Sequence, residues 1–449
     1  MKRLLLNILK YIITFILIIL IINISLFLVC LIDSKSIKNN INKSSTILSK
    51  EGPYYPVKDL SPAYNNNYTD AQIMNELYSI DNRHPYTSYM KVKRNYNKNI
   101  TKYEIEDVNG DGLTITSNNN KKSIIEDHYN TIDELKLFLN GKIKHSINSG
   151  RYWHGYIVIY RPLMILFNIS QLRVFLLITF IILFIILIYL IYKKFDIYKA
   201  IIFASSLICT NYFSVHYSLE STPVYLIMMI SSIILLLRLD KLKNFSLFIF
   251  IVGCLTSIFD YLTVPLITLG IPCSIYLLKL LKEKKDWKYC LKFIIINSII
   301  WGIGYLSTWL FKWILYDLTI PNTKSMIEIG ITQCLFRVQR ASNTIYIGIN
   351  VWTRILDFIS NMPLYVLGTL LITILLRKFK YNIDFHNKST FIFLLIAIMP
   401  IAWYILLSNH TIVHFIFVNR HVLLFMLGIL LFLDGLLFSN SSKKKRTKD

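Results

Sequence analysis

Apolar runs long enough to cross a bilayer alternate along this chain with short polar breaks. A span needs about 18–20 mostly apolar residues. The first run goes from about Tyr11 to Ile32, behind Met1-Lys2-Arg3. It is longer than a signal-peptide core and no small-residue cleavage site follows, so residues 1–32 are expected to remain as an anchor helix with its N-terminus inside. Residues 33–155 are polar and are expected outside. Within them Thr69 to Tyr78 reads as a helix capped by Thr69, with Ile73, Met74 and Leu77 on one face and Asn82 to Pro85 as its stop. Tyr103 to Thr116 reads as a hairpin turning at Asn109-Gly110-Asp111-Gly112. Thr131 to Asn140 reads as a second amphipathic helix, with Thr131 as cap and Glu134 completing a capping box. The segment is expected to form a small α+β extracytoplasmic domain.

Residues 156–438 repeat the apolar pattern. Spans are expected at about Leu172–Tyr192, Tyr198–Val215 and Thr222–Leu237. The run Phe245–Leu281 is too long for one span and divides at Phe259-Asp260-Tyr261 into two. A further span, about Phe293–Ile314, leaves through Trp301, Trp309 and Trp313. After an outer loop at 316–350, three more follow: one ending on Arg377-Lys378, one at about Phe391–Leu407, and one running into the basic tail 439–449. Ile157 to Asn168 admits a short span, a re-entrant piece or an interfacial helix. If it spans, the later basic clusters fall outside, so a non-spanning reading is favoured. The expected fold is thus an all-α polytopic membrane protein of about ten transmembrane helices with both ends cytoplasmic.

Charge supports that topology. The chain is 54% hydrophobic and carries a formal charge of +23. Its cations crowd the breaks expected inside: Lys193-Lys194, Arg238 with Lys241 and Lys243, Lys282 to Lys288, Arg377-Lys378 and Lys443 to Arg446. The short breaks expected outside carry His, Asp, Glu, Asn or Trp instead. This is the positive-inside pattern, and it makes membrane lipid, rather than nucleic acid, the partner of the basic charge. The six cysteines form no CxxC pair, and five lie in or beside apolar runs, so neither a disulfide framework nor a zinc site is read from them. No internal repeat is visible.

The unusual chemistry gathers on the outer side. Arg151-Tyr152-Trp153-His154-Gly155-Tyr156, with Arg161-Pro162 behind it, stands where water meets lipid. It reads either as an aromatic belt or as the floor of a site. His216 and Glu220 sit in the turn before Thr222, with Lys312, Arg337 and Arg340 farther on. Asp260 interrupts an apolar run, either as a helix cap or as a carboxylate facing a site. Asn409, His410 and His414 lie in the next outer turn. Two histidines four apart share a helical face, which suits a metal weakly, phosphate or sugar contacts better, and plain interfacial structure as well. Arg420 opens the last span on the outer side against the charge rule; phosphate, or a salt bridge to Asp260 or Glu220, would match it. Asp70 follows the Thr69 cap, where the helix dipole favours a carboxylate. Asp107 to Gly112 resembles half of a calcium loop, but its twelfth position is Asn118.

The arrangement of a first span, a large outer loop with helices and an acidic residue, and a bundle with further outer loops resembles the GT-C superfamily of membrane glycosyltransferases. Trp153-His154-Gly155-Tyr156, Phe259-Asp260-Tyr261 and Asn409-His410…His414…Arg420 look like stretches of its Gram-positive bacterial members. The acidic pair that many members carry soon after the first span is not matched: Asp33 follows it alone, and Asp70 comes later. The resemblance implies a cell-membrane enzyme whose site faces outside. It implies a polyprenyl-phosphate sugar donor, a cell-envelope glycan or protein as acceptor, and inversion with a carboxylate base. The base is expected to be Asp70, with Asp260 as the second catalytic carboxylate, and Arg420 with His410 or His414 on the departing phosphate. Trp153, His154, Tyr156, His216, Glu220 and Asn409 would complete the substrate site. Members differ on the use of a divalent cation, so no cofactor is assigned. A polysaccharide polymerase or ligase uses the same donors but usually carries its large loop late in the chain. A transporter or flippase would show charges in mid-span and a repeat. A non-enzymatic envelope protein would show no convergence of Asp70, Asp260, His410 and Arg420.

Overall fold

The computed structural model describes residues 2–56, 64–96, 130–321 apart from 144, 324–338, 362–377 and 388–437, with isolated positions between 352 and 360. The expected hairpin at 103–116, the calcium-like loop, Arg340 and the tail at 439–449 lie outside the described residues. The first helix, α1 (Lys2–Cys30), is nearly all apolar and leads into the polar segment that follows it. There α2 (Ser34–Glu51), α3 (Asn67–Tyr78), α4 (Pro85–Lys91) and α5 (Thr131–Leu139) pack with two small antiparallel ribbons. The first pairs β1 (Tyr54–Pro56) with β2 (Tyr64–Asn66), and the second pairs β3 (Lys93–Tyr96) with β4 (His145–Asn148). The segment is therefore mixed α and β, as expected.

Two caps differ from expectation. The side chain of Asn66, not Thr69, accepts from the Thr69 N–H (3.3 Å), so α3 starts two residues earlier. Asn130 likewise accepts from the Ile132 N–H at 3.1 Å, which frees the Thr131 hydroxyl to donate to the Tyr68 carbonyl at 2.6 Å. Asn outcompetes Thr at both ends because its carbonyl reaches the second or third N–H without a branched Cβ.

The remaining helices form the bundle. They are α6 (Tyr156–Leu166), α7 (Ile169–Lys194), α8 (Ile197–Cys209), α9 (Thr222–Arg238), α10 (Phe245–Phe259), α11 (Ile267–Lys282) and α12 (Trp287–Thr319). After them come α13 (Met326–Val338), α14 (Met362–Leu376), α15 (Ile392–Leu406), α16 (Ser408–Val413), α17 (Phe415–Val418) and α18 (Val422–Leu437). Among the described residues five helical stretches are long and apolar enough to cross a membrane: 8–30, 169–194, 287–319, 388–406 and 419–437. Shorter apolar helices cover 156–166, 222–238, 245–259 and 363–376. The 11-residue α6 rises only about 16 Å, well short of a bilayer core. Its buried Arg161 donates to the carbonyls of Leu77 and Ile32 (2.5 Å for the latter) and to Ser34 Oγ at 3.1 Å, anchoring it to the polar segment.

The helix ends sort into two faces. On one, Lys194 pairs with Asp240 at 2.6 Å, Lys279 Nζ donates to the Leu239 carbonyl at 3.0 Å, and Ser389 Oγ to that of Lys285 at 3.5 Å. Asp434, which the sequence reading passed over, is buried there between Lys199 and Arg377, with Arg377 Nη2 at 2.8 Å. On the opposite face lie the Tyr152–Tyr156 run, Glu220, Asp260, Arg337 and His410.

Close backbone approach holds α10 against α12. A Cβ on Gly304 would stand 2.6 Å from the Phe250 carbonyl oxygen, and one on Gly253 would meet the Trp301 backbone. Small residues that let helix backbones touch are the usual packing device in lipid. Gly304→Ala is therefore expected to lower stability by about 1–3 kcal/mol despite alanine's better helix propensity, read as a lower unfolding midpoint in detergent. An unchanged or higher midpoint would contradict this packing.

Candidate functional site

The candidate residues fall into three groups on one face. The first is built on Asp70. Its helix α3 is buried against the start of α7 and the turn before α9, and Asp70 is fully buried. One oxygen accepts from the Leu219 N–H at 2.9 Å and the other faces Arg173 Nη2 at 3.3 Å. Arg173 also holds Glu51 (2.9 Å) and Asn67 (2.6 Å). Burial pushes the Asp70 carboxyl up to about 6, against the pull of Arg173. Both carboxylate oxygens are thus committed to protein. His216 lies alongside, its Nδ1 donating to the Phe213 carbonyl at 2.6 Å, and burial pushes its imidazole down to about 4.

Glu220 belongs to the same group. It accepts from Asn66 Nδ2, and burial pushes its carboxyl up to about 7, helped by nearby Asp70 and opposed by Arg420. Arg420 forms no salt bridge to Asp260 or Glu220 among the described residues, and its buried Nη1 has no hydrogen-bond partner there. A carboxyl that binds its proton more tightly when folded stabilises the fold at low pH. That contribution is lost as pH rises from about 4.5 to about 7. Glu220→Gln is therefore expected to flatten the fall in unfolding midpoint between pH 5 and pH 8; an equally steep fall in the variant would rule Glu220 out as its source.

The second group joins the polar segment to the bundle. Tyr156 O–H donates to Glu76, and Tyr261 O–H reaches the same Glu76 oxygen at 2.8 Å. The two hydroxyls are 2.9 Å apart, and each is 2.9 Å from His154 Nδ1. His154 Nε2 donates to the Ser149 carbonyl at 2.7 Å. Burial pushes the His154 imidazole down to about 3 and raises the Glu76 carboxyl. The cluster is reached by strain: His154 takes φ +54° and Leu262 φ +64°, both in the left-handed region that disfavours side chains. Gly155, next to His154, donates to the Ile258 carbonyl at 2.9 Å, and a Cβ there would meet that oxygen at 2.6 Å. Trp153 is also fully buried, its indole N–H donating to the Thr308 carbonyl at 2.8 Å under Lys312. The Tyr152–Tyr156 run is thus a packed joint rather than a lipid-facing belt.

The third group surrounds Asp260. The residue ends α10, and α11 begins only at Ile267, so it does not cap the next helix. The N–H groups of Leu262, Thr263 and Val264 turn toward its carboxylate. Hydrogen bonds close only from Thr263, whose N–H (2.9 Å) and hydroxyl (2.6 Å) both bind Oδ1. Oδ2 is buried and has no hydrogen-bond partner among the described residues. Burial pushes this carboxyl up to about 6. His410 Nε2 donates to the Leu262 carbonyl at 3.0 Å, and its ring meets that of His414 at 4.8 Å. Burial and the charge of Arg337 hold both histidines neutral, His414 at about 4. Arg337 Nη2 donates to Tyr152 O–H at 2.8 Å, while Asn409 donates to the Phe336 carbonyl at 3.0 Å. No set of three or more His, Cys, Asp or Glu side chains placed to hold a metal ion occurs among the described residues.

Glu76, an acidic candidate on the same helix as Asp70, anchors the second group instead of joining Asp70. Two participants were not singled out by the sequence reading. Tyr261 was noted only as a neighbour of Asp260. Tyr305 completes the spacing Trp301-Tyr305-Trp309-Trp313, one residue per helical turn, and that period was the available signal. Compared with protein-family models, curated proteins and solved structures, the chain matches none.

Proposed function

We propose that this protein is a membrane glycosyltransferase of about ten passes that moves a sugar from a polyprenyl-phosphate carrier to an acceptor hydroxyl at the outer face. The observation that carries the reading is the Asp260 carboxylate: one oxygen pinned by Thr263, the other buried and unpartnered, in a break between two apolar helices. A general base needs a carboxylate oriented by one oxygen and open at the other. Asp260 is the base in this reading, because Asp70 has both oxygens occupied. The acceptor hydroxyl gives its proton to Asp260 Oδ2 and attacks the anomeric carbon from the side opposite the phosphate, inverting it. Arg420, whose Nη1 is unpartnered, suits the charge that builds on the leaving phosphate.

Full-length protein in lipid nanodiscs, given polyprenyl-phosphate donors carrying labelled sugars, tests this directly. Release of the labelled sugar to water or to added envelope glycan is expected for wild type. No cleavage of any donor in the panel would remove the transferase reading and leave a transporter or envelope protein in its place.

A further inference from the structure

The helix that follows α1 runs along the membrane boundary rather than away from it. Only Leu31, Ile32 and Asp33 separate the end of α1 at Cys30 from the start of α2 at Ser34. At mid-length Asn40 Nδ2 donates to the Met164 and Ile165 carbonyls, at the end of α6, at 2.9 and 3.0 Å. Ser44 Oγ accepts at 2.8 Å from the Ile169 N–H that opens α7. At its last residue Glu51 meets Arg173, about one turn into α7, at 2.9 Å. Both α1 and α7 contain stretches long and apolar enough to cross a membrane. With 26 residues α7 rises about 39 Å, against about 30 Å of hydrocarbon core, so its first turn belongs to the headgroup layer. A helix tied at its start, middle and end to the ends of such spans lies lengthwise in that layer. Its 18 residues cover about 27 Å of it.

The two faces of α2 are opposite in character. Ile37, Ile41, Ser44, Ser45 and Leu48 are buried against protein. Lys35, Lys38, Lys43 and Lys50 are exposed on the arc turned away from them. The charge on that arc has one sign. Among the described residues none of the four lysines forms an ion pair. The acids at the two ends are already engaged: Asp33 accepts from the Lys35 N–H at 2.9 Å as the helix cap, and Glu51 is held by Arg173. The row limits what it can bind. Lys35 and Lys50 stand about 22 Å apart along the axis, so a single small anion would reach one or two of the four. An ammonium is a point charge, without the fork that fixes one phosphate in one orientation. Point charges spread along the headgroup layer match a sheet of anionic headgroups instead. Because the apolar face of α2 is spent on protein, the attraction left to it is electrostatic.

We infer that the exposed lysine row of α2 is a docking surface for the anionic phospholipid headgroups of the leaflet in which the helix lies. The surface is independent of the transferase reading, since it needs neither donor nor turnover. Full-length protein in phosphatidylcholine nanodiscs receives a trace of photoreactive phosphatidylglycerol, or of phosphatidylcholine with the same diazirine next to its glycerol. After illumination and peptic digestion, mass spectrometry reads the label on residues 34–51. Phosphatidylglycerol is expected to label them on the order of three- to tenfold more than phosphatidylcholine at low salt. The excess should fall at about 0.5 M salt, where screening sets in within roughly 4 Å. Lys35→Gln, Lys38→Gln, Lys43→Gln and Lys50→Gln combined are expected to abolish the excess. The matching four Arg substitutions keep the charge and are expected to preserve it, with unfolding midpoints showing that both variants are folded. Equal labelling of wild type by the two lipids, as a row facing water or a soluble anion would give, overturns the docking surface. So does an excess that salt leaves unchanged, or one that survives in the folded Gln variant. Absence of label from either lipid would also overturn it, because α2 would then lie outside the headgroup layer.

Discussion

Asp260→Asn is expected to lower sugar transfer by about 10²- to 10⁴-fold at unchanged protein level, the usual weight of a positioned general base. The amide keeps the size of the side chain and an oxygen for Thr263, whose N–H and hydroxyl fix Oδ1 at 2.9 and 2.6 Å. What it cannot do is take a proton at the second position. The pH profile separates this from a structural effect. With the Asp260 carboxyl at about 6, transfer by wild type is expected to rise as pH increases through about 6 and to level off above it, because only the ionised form is a base. The residual rate of the Asn variant should lack that limb. Initial rates between pH 4.5 and 8.5 at saturating donor measure both. Full activity in the variant, or a variant that retains the same acid limb, would take Asp260 out of the chemistry.

The second large effect concerns stability. Arg173→Met is expected to destabilise the protein by about 3–5 kcal/mol, the cost of removing one partner from a buried ionic network. Arg173 holds Glu51, Asn67 and Asp70 at once, so its loss takes the cation from the buried Asp70 carboxylate and from the partly exposed Glu51. Asp70→Leu in the same background is expected to recover part of that cost, since an apolar pair of similar size no longer buries a lone charge. Unfolding midpoints of the two single variants and the double variant complete the cycle. Asp70 stands in both oxygens' reach of protein partners, so its substitution should appear in these midpoints rather than in turnover per folded molecule. A normal midpoint for Arg173→Met would show that the network carries no weight.

The pattern of apolar runs was enough to separate a block of long apolar helices from the polar segment behind the first helix, because the length and composition a bilayer demands act on local stretches of chain. It also drew attention to Asp260, since an acidic residue inside an apolar run is costly whatever the fold. Cap identity at α3 and α5 was less legible: Asn66 and Thr69 are both good caps, and only the docking of each helix start decides between them.

Which polar groups meet was decided by tertiary structure alone. Glu76 and Tyr261 are 185 residues apart, and Arg173 and Asp70 are 103 apart. No local spacing encodes such pairs, because they depend on how the polar segment settles onto the bundle. The same holds for satisfaction. The sequence shows Trp301, Tyr305, Trp309 and Trp313 as one stripe, but only packing gives the outer two rings a carbonyl or hydroxyl and leaves the inner two without one. A residue's type fixes what hydrogen bonds it can form, and its neighbours in space fix which of them form.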